Sequence, residues 1–324
     1  MKNKKYVDRL ELLADVAEMY YEEGKTQAEI SETFDITRSA ISRILTEARQ
    51  KGVVEINIRR PLRFDAALEQ SLIERFGLKG ACVVAWQSDG RYEALKARLG
   101  KAGARILGEK ISSGRIIGIA WGTTVGATIE ACQTVDRDDL QIVQLVGALG
   151  SAMHAYSGQA LVEQLARKVG GKGIYLYTPF IVETADTARA LANTPSIHEA
   201  LDAGRKCDAA LVGIGSTEPE YCSLYQGGHI SKDVLASLQQ AGAVGDVSGH
   251  YFDIHGNKAN IDFHQLMVGI TKEDLLNIPT RIAVAGHPSK AKAIYAALAG
   301  GYANVLVSDS QTVTKVLELA DTFQ

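Results

Sequence analysis

Seven short runs rich in β-branched residues lie between Ala81 and Asp309: "ACVVAW", "RIIGIAW", "LQIVQLV", "GIYLYTP", "AALVGIG", "RIAVAGH" and "NVLVSD". Apolar runs of this length, with little polar alternation, belong to strands covered on both faces. Helical patterns fill the gaps, near 92–113, 123–134, 157–170, 184–205, 231–241, 288–300 and 310–321. Strands that alternate with helices pair in parallel, with the helices laid over the sheet. The expected class is therefore α/β, with a Rossmann-like, helix-covered parallel sheet over 81–324.

A chain of 324 residues is long for one core, and the first 60 have a different texture. Leu10, Leu13, Val16, Ala17 and Tyr20 recur at helical spacing and Gly24 closes that helix. Thr26 opens a capping box with Glu29, so a second helix begins there, with Ile30 and Phe34 inward. Thr37 is the next cap, and Ile41, Ile44, Leu45 and Ala48 give the third helix an apolar stripe. Ser39, Ser42, Arg43 and Thr46 form its opposite ridge, with Arg38 in the first turn. After Gly52, "VVEINIRR" alternates as a strand and Pro61 ends it.

Two helices joined by a tight turn, the second with a basic, hydroxyl-bearing outer ridge, form a helix-turn-helix, and the strand behind it reads as a wing. That ridge fits a major groove, where guanidinium and hydroxyl groups meet base edges and phosphates. Arg43 is the foremost base-contact candidate. Thr26 and Gln27 would face the DNA backbone. The competing reading is a small helical bundle with a solvated basic face. Expected boundaries are 1–60 for the DNA-binding domain, 61–80 for an amphipathic linker helix, and 81–324 for the α/β domain.

The bulk numbers exclude several classes. Apolar residues make up 46% and charged residues 23%, the balance of a globular protein, and the net charge is −3. No run approaches the ~18 apolar residues of a membrane span. The N-terminal stretch has no apolar signal region, so a cytoplasmic location is expected. Cys82, Cys132, Cys207 and Cys222 are widely spaced without a CxxC, as in reduced thiols.

Four of the strand runs end in small turns: "GIAWGTTVG", "LVGALGS", "VGIGST" and "VAGHPSK". In a parallel sheet these turns share one rim, where helices begin. Backbone N–H groups at Gly122, Gly147, Gly215 and Gly286 can then approach an anion. Thr123, Thr124 and Ser216 add hydroxyls, and Lys290 adds a point charge. A small anion such as a phosphate is the expected ligand. Neither GxxxxGK[ST] nor GxGxxG is present, so no nucleotide site and no cofactor is expected.

The densest polar stretch is "GAVGDVSGHYFDIHGN". Asp246 and Asp253 can accept hydrogen bonds from sugar hydroxyls, and with His250 they are the only cluster suited to acid–base work on a sugar phosphate. His250 and His255 lack a third ligand, so no metal is expected. No nucleophile elbow appears.

With these residues in view, the chain resembles the SorC family of sugar-binding bacterial transcriptional regulators. "ITRSAISRILTEARQKGVVEI" resembles the family's helix-turn-helix. "GIAWGTTV", "QLVGALG", "LVGIGS", "GAVGDVSGHYFD" and "VAGHPSKAKAI" resemble its effector-domain blocks, in the same order. The resemblance implies an effector domain similar in fold to sugar-phosphate isomerases, and a homodimer or homotetramer that binds operator DNA. A sugar or sugar-phosphate effector would gate it, with no catalysis. It places a phosphate on Gly122, Thr123, Thr124 and Lys290, the sugar end at Asp246 and its neighbours, and Asp309 as a further contact. His287 stands where the family often has a second glycine, and His250 where it often has an arginine. The alternative is an isomerase-like enzyme with an appended helix-turn-helix.

Overall fold

The computed structural model describes residues 9–54, 61–86, 92–150 and 155–323. Its contacts divide the chain into two units, Met1–Pro61 and Leu62–Gln324. The strand expected at 53–60 falls outside the described residues apart from Val53 and Val54.

The first unit holds three helices, α1 (Arg9–Tyr21), α2 (Gln27–Phe34) and α3 (Arg38–Gln50). Their inward stripes meet in one core of Leu13, Val16, Ala17, Ile30, Ile41, Ile44, Leu45 and Ala48. Leu10, expected to point inward, is half exposed. The Thr26–Glu29 capping box starts α2, and the Thr37 hydroxyl accepts the Ala40 amide to start α3. Between them Asp35 turns the chain at φ 53°, a left-handed conformation that asparagine and aspartate tolerate best after glycine.

The second unit is built on a seven-stranded, wholly parallel sheet. The strands are β1 (Gly80–Val84), β2 (Ile116–Ile119), β3 (Gln141–Gln144), β4 (Lys172–Ile174), β5 (Ala209–Val212), β9 (Thr280–Val284) and β10 (Val305–Asp309), in the order β1-β10-β9-β5-β2-β3-β4. Each overlaps one of the seven runs read from the sequence, with β1, β4 and β9 beginning one residue before theirs. The covering helices include α5 (Tyr92–Ser113), α6 (Thr123–Ala131), α7 (Gly158–Val169), α13 (Ala291–Ala299) and α14 (Ser310–Thr322), and α10 (Ser223–Gln226), α11 (Lys232–Gln240) and α12 (Lys272–Asn277) precede α13 in the chain. Two apolar layers, one on each face of the sheet, make up its core.

Three features depart from expectation. The pattern at 184–205 is two helices, α8 (Ala185–Ala192) and α9 (Pro195–Arg205), because Pro195 offers no N–H to continue the first and is pre-set to begin the second. The expected linker helix is α4 (Ala66–Phe76), docked on the second unit. Leu72 is fully buried there, and the Glu69 carboxylate accepts the Val83 amide of β1 at 2.9 Å. Third, "GAVGDVSGHYF" forms strands. A small antiparallel sheet joins β6 (Gly215–Ser216), β7 (Gly245–Val247) and β8 (His250–Phe252).

Candidate functional site

From β2 the chain winds outward to β3 and β4. From β5 it winds the other way, to β9 and β10. The order reverses between β2 and β5, and a crevice opens at such a switch point beyond the carboxyl ends of the strands. The turns after β2, β5 and β9 all emerge there.

Gly122 leads from β2 into α6 at φ 135°, outside the range of an ordinary L residue, and no side chain caps the helix. The Thr123 hydroxyl lies beside Tyr92, whose phenol burial pushes upward. Thr124 is turned inward, and its hydroxyl donates to the Val284 carbonyl of β9 at 2.6 Å. The turn after β5 passes close by: a Cβ on Gly213 would sit 3.7 Å from the Thr124 hydroxyl oxygen.

Lys290 is buried, and its ammonium donates to the Ile214 carbonyl at 3.1 Å. Asp246 pairs with Gly215 across β6 and β7, and one of its oxygens lies where any Gly215 side chain would go. Its other oxygen accepts the Gly249 amide at 2.9 Å. Burial pushes the Asp246 carboxyl up to about 6 and the Lys290 amine down, each opposed by the other's charge. Ser216 is buried, and its hydroxyl accepts the Glu218 amide.

His287 roofs this rim. Its φ of 93° is strained for any residue but glycine, and its amide donates to Asp309 Oδ2 at 3.0 Å. The imidazole stacks on Tyr221, with ring centres 4.9 Å apart, and meets Tyr92 edge-on at 5.7 Å. Nothing periodic in the sequence marks Tyr92 or Tyr221. A groove of about 800 Å³ opens beside the roof, lined by Tyr221, Pro288, Lys292, Lys315 and Leu319 among others.

Not every expected residue joins the rim as a free group. Asp309 is fully buried and occupied: besides His287 it takes the Thr312 amide and hydroxyl, which caps α14. Asp253 closes its own turn, accepting the amides of His255 and Asn257. That turn packs at Gly300, past the C-terminal end of α13, whereas Lys290 precedes its start. The two are therefore about 14 Å apart along the helix. Asp253 is not at the rim, because the β7–β8 reversal carries the chain away. Gly147 is glycine for packing, since a Cβ there would come within 2.5 Å of the Pro179 carbonyl. His250 is buried on Ile270 and His255 is exposed near Phe323, so the two share no site.

In the first unit Arg38, Ser39, Ser42, Arg43, Thr46 and Arg49 are all exposed on α3. The one acidic residue of α3, Glu47, is held by Arg9 and Lys51. The ridge is thus left positive, and no ion pair to Arg38, Arg43 or Arg49 occurs among the described residues. Thr26 is committed to its capping box, and Gln27 is half-buried.

A helix-turn-helix joined to a Rossmann-like sheet with a glycine-lined crevice that holds a buried lysine and carboxylate defines a ligand-responsive DNA-binding protein. Comparison with known proteins specifies it further. Residues 60–318 match the family described as "Putative sugar-binding domain", and residues 14–51 match region 4 of sigma-70. The chain is 30% identical over 306 residues to the deoxyribonucleoside regulator of Bacillus subtilis, covering 94% of this chain and 96% of that one. It is 32% identical over 313 residues to the transcriptional regulator LsrR of Enterobacter sp. (strain 638), covering 96% and 94%. The full-length sorbitol operon regulator SorC from Klebsiella pneumoniae superposes with a TM-score of 0.71 at 25% identity, over 95% of this chain and 99% of that one. A DeoR family regulator from Listeria monocytogenes gives 0.71 at 28% identity, over 78% and 98%. The chain belongs to the SorC family of sugar-binding transcriptional regulators. It is a DNA-binding regulator gated by a sugar-type effector.

Proposed function

We propose that this regulator controls a carbohydrate-utilisation operon in the cytoplasm as a homodimer or homotetramer, and that its effector is a sugar phosphate. Residues 1–60 read the operator, 61–80 link, and 81–324 bind effector and associate. The effector phosphate lies on the uncapped start of α6, over Gly122, Thr123 and Thr124, with Lys290 as its counter-charge. The sugar end reaches toward Gly215, Ser216 and Asp246. Gly286 keeps the roof clear of Asp309, while Asp309 and Gly147 hold the rim. On DNA, Arg38, Ser39, Ser42, Arg43 and Thr46 enter the major groove, and Thr26 and Gln27 approach the backbone.

One observation carries this reading. A buried lysine and an uncapped helix start are linked through the 213–214 turn at the topological switch point. Helix starts and buried cations both favour an anion there.

The chain acts as a binder and not as an enzyme. Its named relatives are regulators, and Asp246 and Lys290 are each held by a backbone partner. The upward shift of Asp246 and the downward shift of Lys290 are what would favour proton-transfer chemistry instead.

The test is calorimetric titration of wild type and Lys290→Ala with free and phosphorylated pentoses and hexoses, alongside a proton-exchange assay. Phosphorylated ligand is expected to bind wild type, and Lys290→Ala to weaken it about tenfold or more. Equal affinity in the variant removes Lys290 from the site. Proton exchange at a substrate carbon makes the protein an isomerase.

A further inference from the structure

We propose that the cavity under the β7–β8 hairpin is a second anion site, separate from the effector rim, taking one small oxyanion of the phosphate type. The hairpin turns on Ser248 and Gly249, at φ 54° and 83°, as a two-residue turn of the primed kind requires. Ser248 is only 5% exposed, and its hydroxyl has no partner. Across the cavity, His264 Nε2 accepts the Tyr251 amide at 3.0 Å, so the ring proton sits on Nδ1. That Nδ1–H is also buried without a partner.

Both donors line one cavity of about 160 Å³, with His250, Lys258, Lys272 and Glu273. His250 donates its Nε2–H to the Ile270 carbonyl at 3.0 Å, which fixes its own tautomer. The Lys272 ammonium is held 4.8 Å from the centre of the Tyr302 ring, and Lys258 stands exposed at the mouth. Donors and positive charge therefore dominate, against the single carboxylate of Glu273.

A buried polar group left unpaired is costly, so two in one cavity call for an acceptor. Water would answer the two donors alone, whereas an oxyanion answers them and also matches the surplus of two ammoniums over one carboxylate in the lining. The volume is about five times the ~30 Å³ share of a liquid water, enough for a tetrahedral oxyanion with a water or two. None of the residues lining the cavity is Gly122, Thr123, Thr124, Asp246 or Lys290.

The test uses full-length protein carrying Lys290→Ala, so that the rim contributes little, and inorganic phosphate as the probe at constant ionic strength. Calorimetry is expected to give one phosphate per chain, and the His264 ring resonances are expected to move on titration. Adding Ser248→Gly, which suits the positive φ and leaves the hairpin intact, is expected to weaken binding about tenfold or more. Lys272→Met gives an independent loss of similar size. The proposal is overturned if phosphate releases no heat, if it leaves the His264 resonances unmoved, or if it binds both double variants as tightly as Lys290→Ala alone. Any of these makes the cavity a water site. Because the rim is disabled throughout, such a failure is distinct from failure of the sugar-phosphate reading.

Discussion

At the scale of single residues, side chains near one another in sequence hold unlike positions. Arg43 stands mid-ridge on α3, exposed and without an ion pair among the described residues. Arg43→Ala is expected to cost about 1–3 kcal/mol of operator binding and to relax sequence preference, read by fluorescence anisotropy on wild-type and mutated operators. His287 was visible in the sequence only as an unusual residue in a glycine-rich turn. The structure adds the strained φ and the stack on Tyr221. His287→Gly is expected to stabilise the second unit by about 1 kcal/mol or more in denaturant unfolding while changing which sugars bind. If stability falls instead, the ring contacts with Tyr221 and Tyr92 outweigh the strain. His250 is held neutral, down to about 4, chiefly by burial. Below the ~6.5 of an unfolded histidine, the unfolded chain takes up a proton that the folded one refuses, so stability drops as pH falls from about 6.5 to 4. The loss should approach about 3 kcal/mol and should shrink in His250→Gln, which can still donate to Ile270. Parallel stability profiles for the two proteins would contradict this.

At the scale of elements, legibility followed length and periodicity. The seven strands of the parallel sheet and the start of nearly every covering helix were readable, because two-sided burial leaves a run of apolar residues and caps leave a hydroxyl or carboxylate. Thr37→Ala is accordingly expected to destabilise the helix-turn-helix by about 1 kcal/mol, measured by thermal melting of the full chain, and to weaken operator binding with it. The β6–β7–β8 sheet leaves no periodic signal in the sequence. Its strands are two or three residues long, too short to show alternation, and glycines and polar residues are mixed with the apolar ones. The same sheet separates Asp253 from Asp246: both lie in one polar stretch of sequence, and the hairpin reversal carries them apart.

At the scale of the whole molecule, a sensor and a reader are useful together only if the effector distinguishes two arrangements of the protein. Linkage then requires reciprocity: whatever factor the effector applies to operator affinity, saturating operator must apply to effector affinity. A coupling of ~1–3 kcal/mol would change both by about 5–150-fold, measured by anisotropy in one direction and calorimetry in the other. Unequal factors would mean that a further equilibrium, such as a change of oligomeric state, takes part.

The sequence by itself determined the order and kind of the main elements, the caps that start them, and the faces that they bury. These depend on neighbours within a turn or two of chain, and burial writes them as a local pattern. Only the tertiary structure decided which turns meet: Lys290 on Ile214, Asp246 over Gly215, and His287 against Tyr92 and Tyr221. Those encounters follow from strand order across the sheet, which joins residues up to 195 positions apart. The desolvation that shifts Asp246 and Lys290 exists only once the layers have closed around them.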